Sequence, residues 1–174
     1  KLTEVLKPSP RRVEPRCPAF YRCGGCTLQH GEYALQLQAK ERAVASALER
    51  LGGFREFELL PILGMEDPWE YRNKGAFPFA MVNGRVEMGF FAPRSHRLVP
   101  LSGCLIQRRE VVEAALAVRD WARENSVSVY DEQTGRGLLR HVMVRSGAEG
   151  QVMAVVVAAG PLPGHVRLLR ADIA

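Results

Sequence analysis

Four cysteines hold most of the chemistry that this 174-residue chain can offer. Cys17, Cys23 and Cys26 lie in a C-x5-C-x2-C arrangement, Cys104 stands far along the sequence, and there is no fifth. Thiolates are soft donors that suit zinc or an iron-sulfur centre. A structural zinc site usually presents two C-x2-C knuckles, whereas one knuckle is joined here by two single ligands. A ferredoxin shows C-x2-C-x2-C instead. On spacing, a 4Fe-4S cluster leads, zinc follows, and the bland alternative is four buried thiols acting as small hydrophobes. His30 is a spare donor that a four-cysteine set does not need. Four thiolates close the site, which points to a structural role rather than turnover.

The surroundings of these cysteines are basic. Formal net charge is +5 and the pI about 9.3, one footprint of a nucleic-acid binder. Residues 1–50 hold nine Lys or Arg against five Glu, so most of the positive charge flanks the cysteine loop. Three further basic clusters follow: Arg72 with Lys74, then Arg94, His96 and Arg97, then Arg140 with His141. In a strand, Arg72 and Lys74 would share one face roughly 7 Å apart at about 3.3 Å per residue, a spacing that can follow phosphates. Two solvated charges are the plain alternative. Phe20, Tyr21 and Phe90 are candidates for stacking on bases, although aromatics beside a metal centre also shield it.

The elements that must position these groups can be read from periodicity. The segment CPAFYRCGGC is a ligand loop whose glycine pair permits a tight backbone. Tyr33, Leu37, Val44, Leu48 and Leu51 form one stripe of a helix over 33–51, which Gly52-Gly53 stops. Residues 71–82 alternate, with Phe77, Phe79 and Met81 facing a core, and Asn83-Gly84 turns the chain into a return strand at 85–91. A short strand at 98–101 leads to Ser102-Gly103-Cys104. Val111, Ala115, Val118 and Ala122 mark a second helix over 108–124. A second hairpin joins strands at 138–146 and 151–158. The expected fold is α+β: a mixed or antiparallel sheet with two main helices, plus a small cysteine-rich lobe for the cluster. A hydrophobic share of 47% with 25% charged residues excludes a disordered chain, and no apolar run is long enough for a membrane span. Lys1–Val5 lacks an initiator Met, an apolar run and a cleavage site. Together with the terminal apolar segment Leu168–Ala174 it reads as part of a longer polypeptide, cytoplasmic, monomeric and with no membrane partner.

With these residues in view, CPAFYRCGGCTLQHGEYALQLQAK resembles the cluster motif of the RNA uridine-5-methyltransferases, roughly C-P-x-F-x-x-C-G-G-C-x-x-Q-H-x-x-Y-x-x-Q-x-x-x-K. Cys17, Pro18, Phe20, Cys23, Gly24, Gly25, Cys26, Gln29, His30, Tyr33, Gln36 and Lys40 fall in register. Segments 71–79, 89–107 and 137–147 resemble the central domain of that family in the same order, so the likeness covers nearly the whole chain. The resemblance implies a 4Fe-4S cluster with Cys104 as fourth ligand. It implies 23S rRNA as the partner, with cluster-bearing tRNA enzymes as the alternative. It further implies a division into the trailing edge of an RNA-binding β-barrel or a linker (1–12), the cluster loop and helix (13–53), and a central RNA-binding α/β domain supplying the fourth ligand (54–174).

The chemistry implied is methylation of uracil C5. A cysteine thiolate adds to C6, C5 takes the methyl group of S-adenosylmethionine, and a base then removes the C5 proton as the thiolate leaves C6. All four cysteines are assigned to the cluster, so this chain supplies no catalytic residue. Nor does it supply a cofactor pocket. The nearest candidate, VVVAAGPLPG at 155–164, has Pro161 and Pro163 where amide donors are wanted. The competing readings are a non-catalytic Fe-S or zinc nucleic-acid module, and a DNA repair glycosylase, whose four cysteines would lie close together.

Overall fold

A computed structural model describes residues 3–162. Lys1, Pro163, Gly164 and the apolar end 168–174, which figure in the expectations above, lie outside those residues. The chain forms two compact units: residues up to Phe20 with Cys26–Pro68, and Tyr21–Gly25 with the chain from Trp69 onward.

The first unit is built on helix α1, Tyr33–Ser46, which continues as a single π turn, Ala47–Leu51. Its extent matches the expected helix over 33–51. Before it, residues 11–13 run antiparallel to 30–32: the Val13 N–H donates to the His30 carbonyl (3.0 Å) and the Glu32 N–H to the Arg11 carbonyl (3.1 Å). The Arg11 guanidinium also meets the Glu32 carboxylate at 3.0 Å. No residue of α1 is fully buried. The Met65 N–H donates to Tyr33 Oη at the first residue of the helix and the Ile62 N–H to Glu41 Oε1, both at 2.9 Å. Leu51 at the other end is 88% exposed.

The second unit is an antiparallel sheet with one helix on it. Its strands are β1 (Lys74–Val82), β2 (Arg85–Phe91), β3 (Leu98–Pro100), β4 (Leu139–Ser146) and β5 (Val152–Ala158), in the order β3-β2-β1-β4-β5. Helix α2 spans Arg109–Glu124. Asn83 and Gly84 both adopt the left-handed conformation (φ 50° and 75°), the primed turn that matches strand twist. The pairing Val82↔Arg85 therefore sets the register, and Phe79 lies opposite Met88.

Alternation then sorts the side chains. Phe77, Phe79, Val86, Met88, Leu139, Val142 and Val144 face α2, whose Val111, Ala115, Val118 and Ala122 complete the core. Met81, expected on this face, is 55% exposed because it lies at the hairpin end. The first expected strand also starts later, at Lys74. Arg72 instead makes a separate parallel bridge to Gln107, its N–H donating to the Ile106 carbonyl at 2.8 Å. Parallel pairing occurs among the described residues only in such isolated bridges.

One polar junction fastens the start of α2 to the end of β4. The Ser146 hydroxyl donates to Glu110 Oε1 at 2.6 Å, and Arg108 Nη1 donates to Ser146 Oγ (3.2 Å) and to the Gly147 carbonyl (2.9 Å). The Ser146 hydroxyl, with the helix amide and Arg108, holds the Glu110 carboxyl below its ordinary 4.5. At the other end of α2, Arg123 donates to the Val86 carbonyl (2.8 Å) and to Glu87 Oε1 (2.6 Å). Among the described residues, no helix is long and apolar enough to cross a membrane.

Phe77 is 1% exposed, so Phe77→Ala is expected to cost about 3–5 kcal/mol in denaturant unfolding, against under about 1 kcal/mol for Met81→Ala. For Glu110 the folded pKa is the lower one, so its contribution is complete above 4.5 and fades as pH falls through the depressed value. Unfolding midpoints followed from about pH 6 to about pH 3 should fall less steeply in Glu110→Gln than in the unaltered chain.

Candidate functional site

Cys17 and Cys26 belong to the first unit, Cys23 and Cys104 to the second. None is disulfide-bonded and all four side chains are half-buried. In the first unit, the Cys17 N–H donates to Gln29 Oε1 (3.3 Å) and the Cys17 carbonyl accepts the Phe20 N–H (3.1 Å). Phe20 is buried against the His30 ring, with centroids 5.5 Å apart. His30 Nδ1 is buried without a hydrogen-bond partner among the described residues.

In the second unit, the Gly25 N–H donates to Cys23 Sγ at 3.3 Å. The Gly24 N–H donates to the Phe91 carbonyl at 3.0 Å, and a Cβ on Gly24 would lie 2.9 Å from that oxygen, so the close approach requires glycine. Cys104 opens the turn whose Leu105 and Ile106 carbonyls accept the N–H groups of Glu70 (2.9 Å) and Arg72 (2.8 Å). Among the described residues, no three His, Cys, Asp or Glu side chains are gathered as a ready-made metal site. The fit to a metal centre therefore rests on donor chemistry: thiols outside disulfides, an amide aimed at one sulfur, and a glycine cradle beside it. These features suit a thiolate-bound cluster.

Two members of the basic clusters, Lys74 and His141, fall on the sheet face that α2 leaves open. Directly opposed residues of antiparallel strands project on the same side. Lys74 pairs with Arg145 and on to Met153, Ala76 with Met143 and Val155, Pro78 with His141 and Val157. Lys74 and Arg145 thus stand side by side, both exposed, and form no ion pair among the described residues. Like charges directly opposed are destabilising unless an anion lies between them. About 13 Å along the strands, at the His141 end, a groove of about 1250 Å³ opens between this face and residues 129–133.

Sequence-expected groups meet at that groove. Arg140 lies over the Tyr130 ring, its guanidinium carbon 4.4 Å from the ring centroid. Glu132 Oε2 is 3.4 Å from His96 Nδ1 and Glu132 Oε1 is 3.8 Å from Arg140 Nη2. His96 of the second basic cluster is therefore brought together with Arg140 and His141 of the third, while Arg72 and Lys74 mark the far end of β1. Arg94 lines a smaller hollow of about 550 Å³ with Gly24, Gly25 and Phe91; Arg97 is exposed. Of the aromatic candidates, Phe20 is buried and Phe90 packs on Phe77 (5.2 Å), whereas Tyr21 is exposed. Sequence reasoning missed Tyr130, Glu132 and Arg145. The strand register would have found Arg145, but nothing local marks Tyr130 or Glu132.

No family model matches the chain. The chain is similar to a protein named an uncharacterized RNA methyltransferase in Clostridium tetani, 44% identical over 158 residues. A second, in Halalkalibacterium halodurans, is 39% identical over 170 residues. These matches take in 90% and 97% of this chain but only 34% and 37% of the relatives, so the chain spans about a third of their length. Among solved structures, it is similar to the Pyrococcus abyssi tRNA (uracil-54, C5)-methyltransferase in complex with S-adenosyl-L-homocysteine, at 27% identity and a TM-score of 0.63. That match covers 94% of this chain and 36% of the other. By these likenesses the chain is related to RNA methyltransferases, and to a part of each.

Proposed function

We propose that this chain is the RNA-holding part of an S-adenosylmethionine-dependent enzyme that methylates C5 of a uridine in 23S rRNA, and that Cys17, Cys23, Cys26 and Cys104 hold a 4Fe-4S cluster. The observation that carries this reading is the similarity of nine tenths or more of the chain to proteins named RNA methyltransferases, which at 97% coverage takes in all four cysteines. Cys17, Cys23, Cys26 and Cys104 would hold the cluster, which would supply metal-thiolate bonds fixing the loop at 17–26 and the turn at 104. The residues of the chain then do the holding. Lys74 and Arg145 face phosphate from the middle of the sheet, Arg72 extends them, and Arg94, His96, Arg97, Arg140 and His141 offer charge and flat surfaces where β2 and β4 meet their loops.

With every thiol a ligand, no nucleophile is left for uracil C6. The nucleophile and the cofactor pocket are accordingly proposed to lie on polypeptide outside residues 1–174. Pro161 supports this, since it offers no amide where a cofactor turn would need one. A tRNA substrate is the second reading, favoured by the solved tRNA enzyme that the chain resembles.

Anaerobically purified protein should contain iron and acid-labile sulfide in the ratio of one 4Fe-4S cluster, with most of both lost in Cys17→Ser and Cys104→Ser; zinc without iron would overturn the metal assignment. Binding to 23S rRNA hairpins and to tRNA transcripts, titrated against salt, separates the substrates. In either case Lys74→Gln with Arg145→Gln should weaken binding irrespective of sequence and lower the salt slope by about one per charge removed.

A further inference from the structure

The groove beside Tyr130 has a composition that the basic clusters alone do not explain. Its floor is Ala76, Pro78 and Ala80, side chains too short or too flat to fill it. One wall is the Arg140–Tyr130 stack and the other is His96, whose ring lies 5.3 Å from that of Phe91. A flat guanidinium-phenol pair beside an unfilled apolar floor is the arrangement on which an unstacked base is held. An acidic peptide would be served by charge alone and would have no use for the stack.

Glu132 is the odd member. It puts one carboxylate oxygen toward each of two basic side chains that come from different parts of the chain, His96 at 3.4 Å and Arg140 at 3.8 Å. Two oxygens shared between two nitrogen donors is the pattern a phosphate would make in the same place. The carboxylate is delivered by a tight turn in which Asp131 Oδ1 accepts the Gln133 N–H (2.7 Å) and the Asp131 N–H donates to the Arg136 carbonyl (2.7 Å). The Glu132 side chain is 63% exposed, and ion pairs so exposed are weak and readily exchanged for a competing anion.

We propose that this groove seats one unstacked nucleotide of single-stranded RNA, its base continuing the Arg140–Tyr130 stack and its phosphate between His96 and Arg140, and that Glu132 occupies the phosphate position until RNA displaces it. The proposal rests on the RNA-holding role argued above and adds to it a specific seat and an internal competitor. Glu132 sets a threshold: an RNA must bring both a stackable base and a phosphate to open the groove, so duplex RNA, whose bases are stacked already, is held by the basic side chains outside the groove, Lys74 and Arg145 among them.

The test is fluorescence anisotropy of a short labelled single-stranded oligouridylate with the full chain, alongside a duplex RNA. Glu132→Gln is expected to tighten the single strand about three- to five-fold and to change duplex binding little. Tyr130→Ala should weaken the single strand about ten-fold, Arg140→Gln should weaken it as well, and Tyr130→Phe, which keeps the ring, should restore binding. Unchanged or weaker binding by Glu132→Gln overturns the proposal, as does oligoglutamate competing as well as unlabelled RNA. If Tyr130→Ala and Arg140→Gln bind normally while Lys74→Gln does not, RNA is held elsewhere and the groove proposal falls while the RNA-holding role stands. If the unaltered chain binds no RNA at all, both fall.

Discussion

The second unit depends on one packing event, the burial of one face of a five-stranded sheet under a single helix. Val111, Ala115, Val118 and Ala122 of α2 recur at helical spacing and meet Phe77, Met88, Leu139, Val142 and Val144, all nearly or wholly buried. At roughly 25 cal/mol per Å² of apolar surface, this contact is the main term holding the unit together. It also has a geometric consequence. One helix covers one face, so every residue of opposite parity in β1, β4 and β5 is left facing out. The exposed row Lys74, Ala76, Pro78 and its partners in β4 and β5 therefore follow from the same alternation that builds the core. Core and candidate RNA surface are two sides of one register.

Backbone hydrogen bonds extend that frame to the cysteines of this unit. Gly24 is tied to the Phe91 carbonyl at the end of β2, and the turn after Cys104 is tied to residues 70–72 just before β1. Both cysteines are thus carried by segments that backbone hydrogen bonds tie to neighbouring strands or their approaches, which holds a side chain in place rather than merely nearby. The loop that holds Arg94, His96 and Arg97 starts from the same strand end, since the Ala92 N–H donates to the Arg97 carbonyl at 2.9 Å. A metal centre at Cys23 and the basic loop would consequently share one support. This is the physical content of a structural cluster in a protein proposed to hold RNA.

How much of this could be read beforehand varied with the range of the interactions. The helices at 33–51 and 108–124 and both hairpins announced themselves through periodicity and turn residues, and their observed bounds differ by a residue or two. β1 was the exception. Residues 71–73 alternate like a strand, yet Arg72 pairs with Gln107 instead of joining the ladder, a partner choice made across thirty-five positions that no local pattern encodes. Met81 shows the same limit: parity assigned its face correctly, but burial ends where α2 ends. The convergence of His96 and Arg140 on Glu132 was not visible either. It arises because the bulge between Leu139 and His141 turns Arg140 out of the ladder toward Tyr130, and a bulge leaves no reliable mark in sequence.

The positions of the charges bear on function more directly than their number. A net charge of +5 is modest, and several of the cations are matched locally by carboxylates, as where Arg123 meets Glu87 and Asp120 or where Arg109 meets Glu113. Lys74 and Arg145 are treated differently: register forces them side by side, no carboxylate is placed against them among the described residues, and the pair costs folding free energy as it stands. Exchanging either for a neutral residue would remove that cost without touching the core, because both lie on the face α2 does not cover. A destabilising pair that packing does not require is explained when its use is to meet an anion from outside the chain. At the other end of the same strands the solution is opposite, with Glu132 supplied from within. On the proposed reading, one face would thus offer an unquenched cationic pair for any phosphate backbone and a quenched, aromatic-lined groove that yields only to a ligand with more to give than charge.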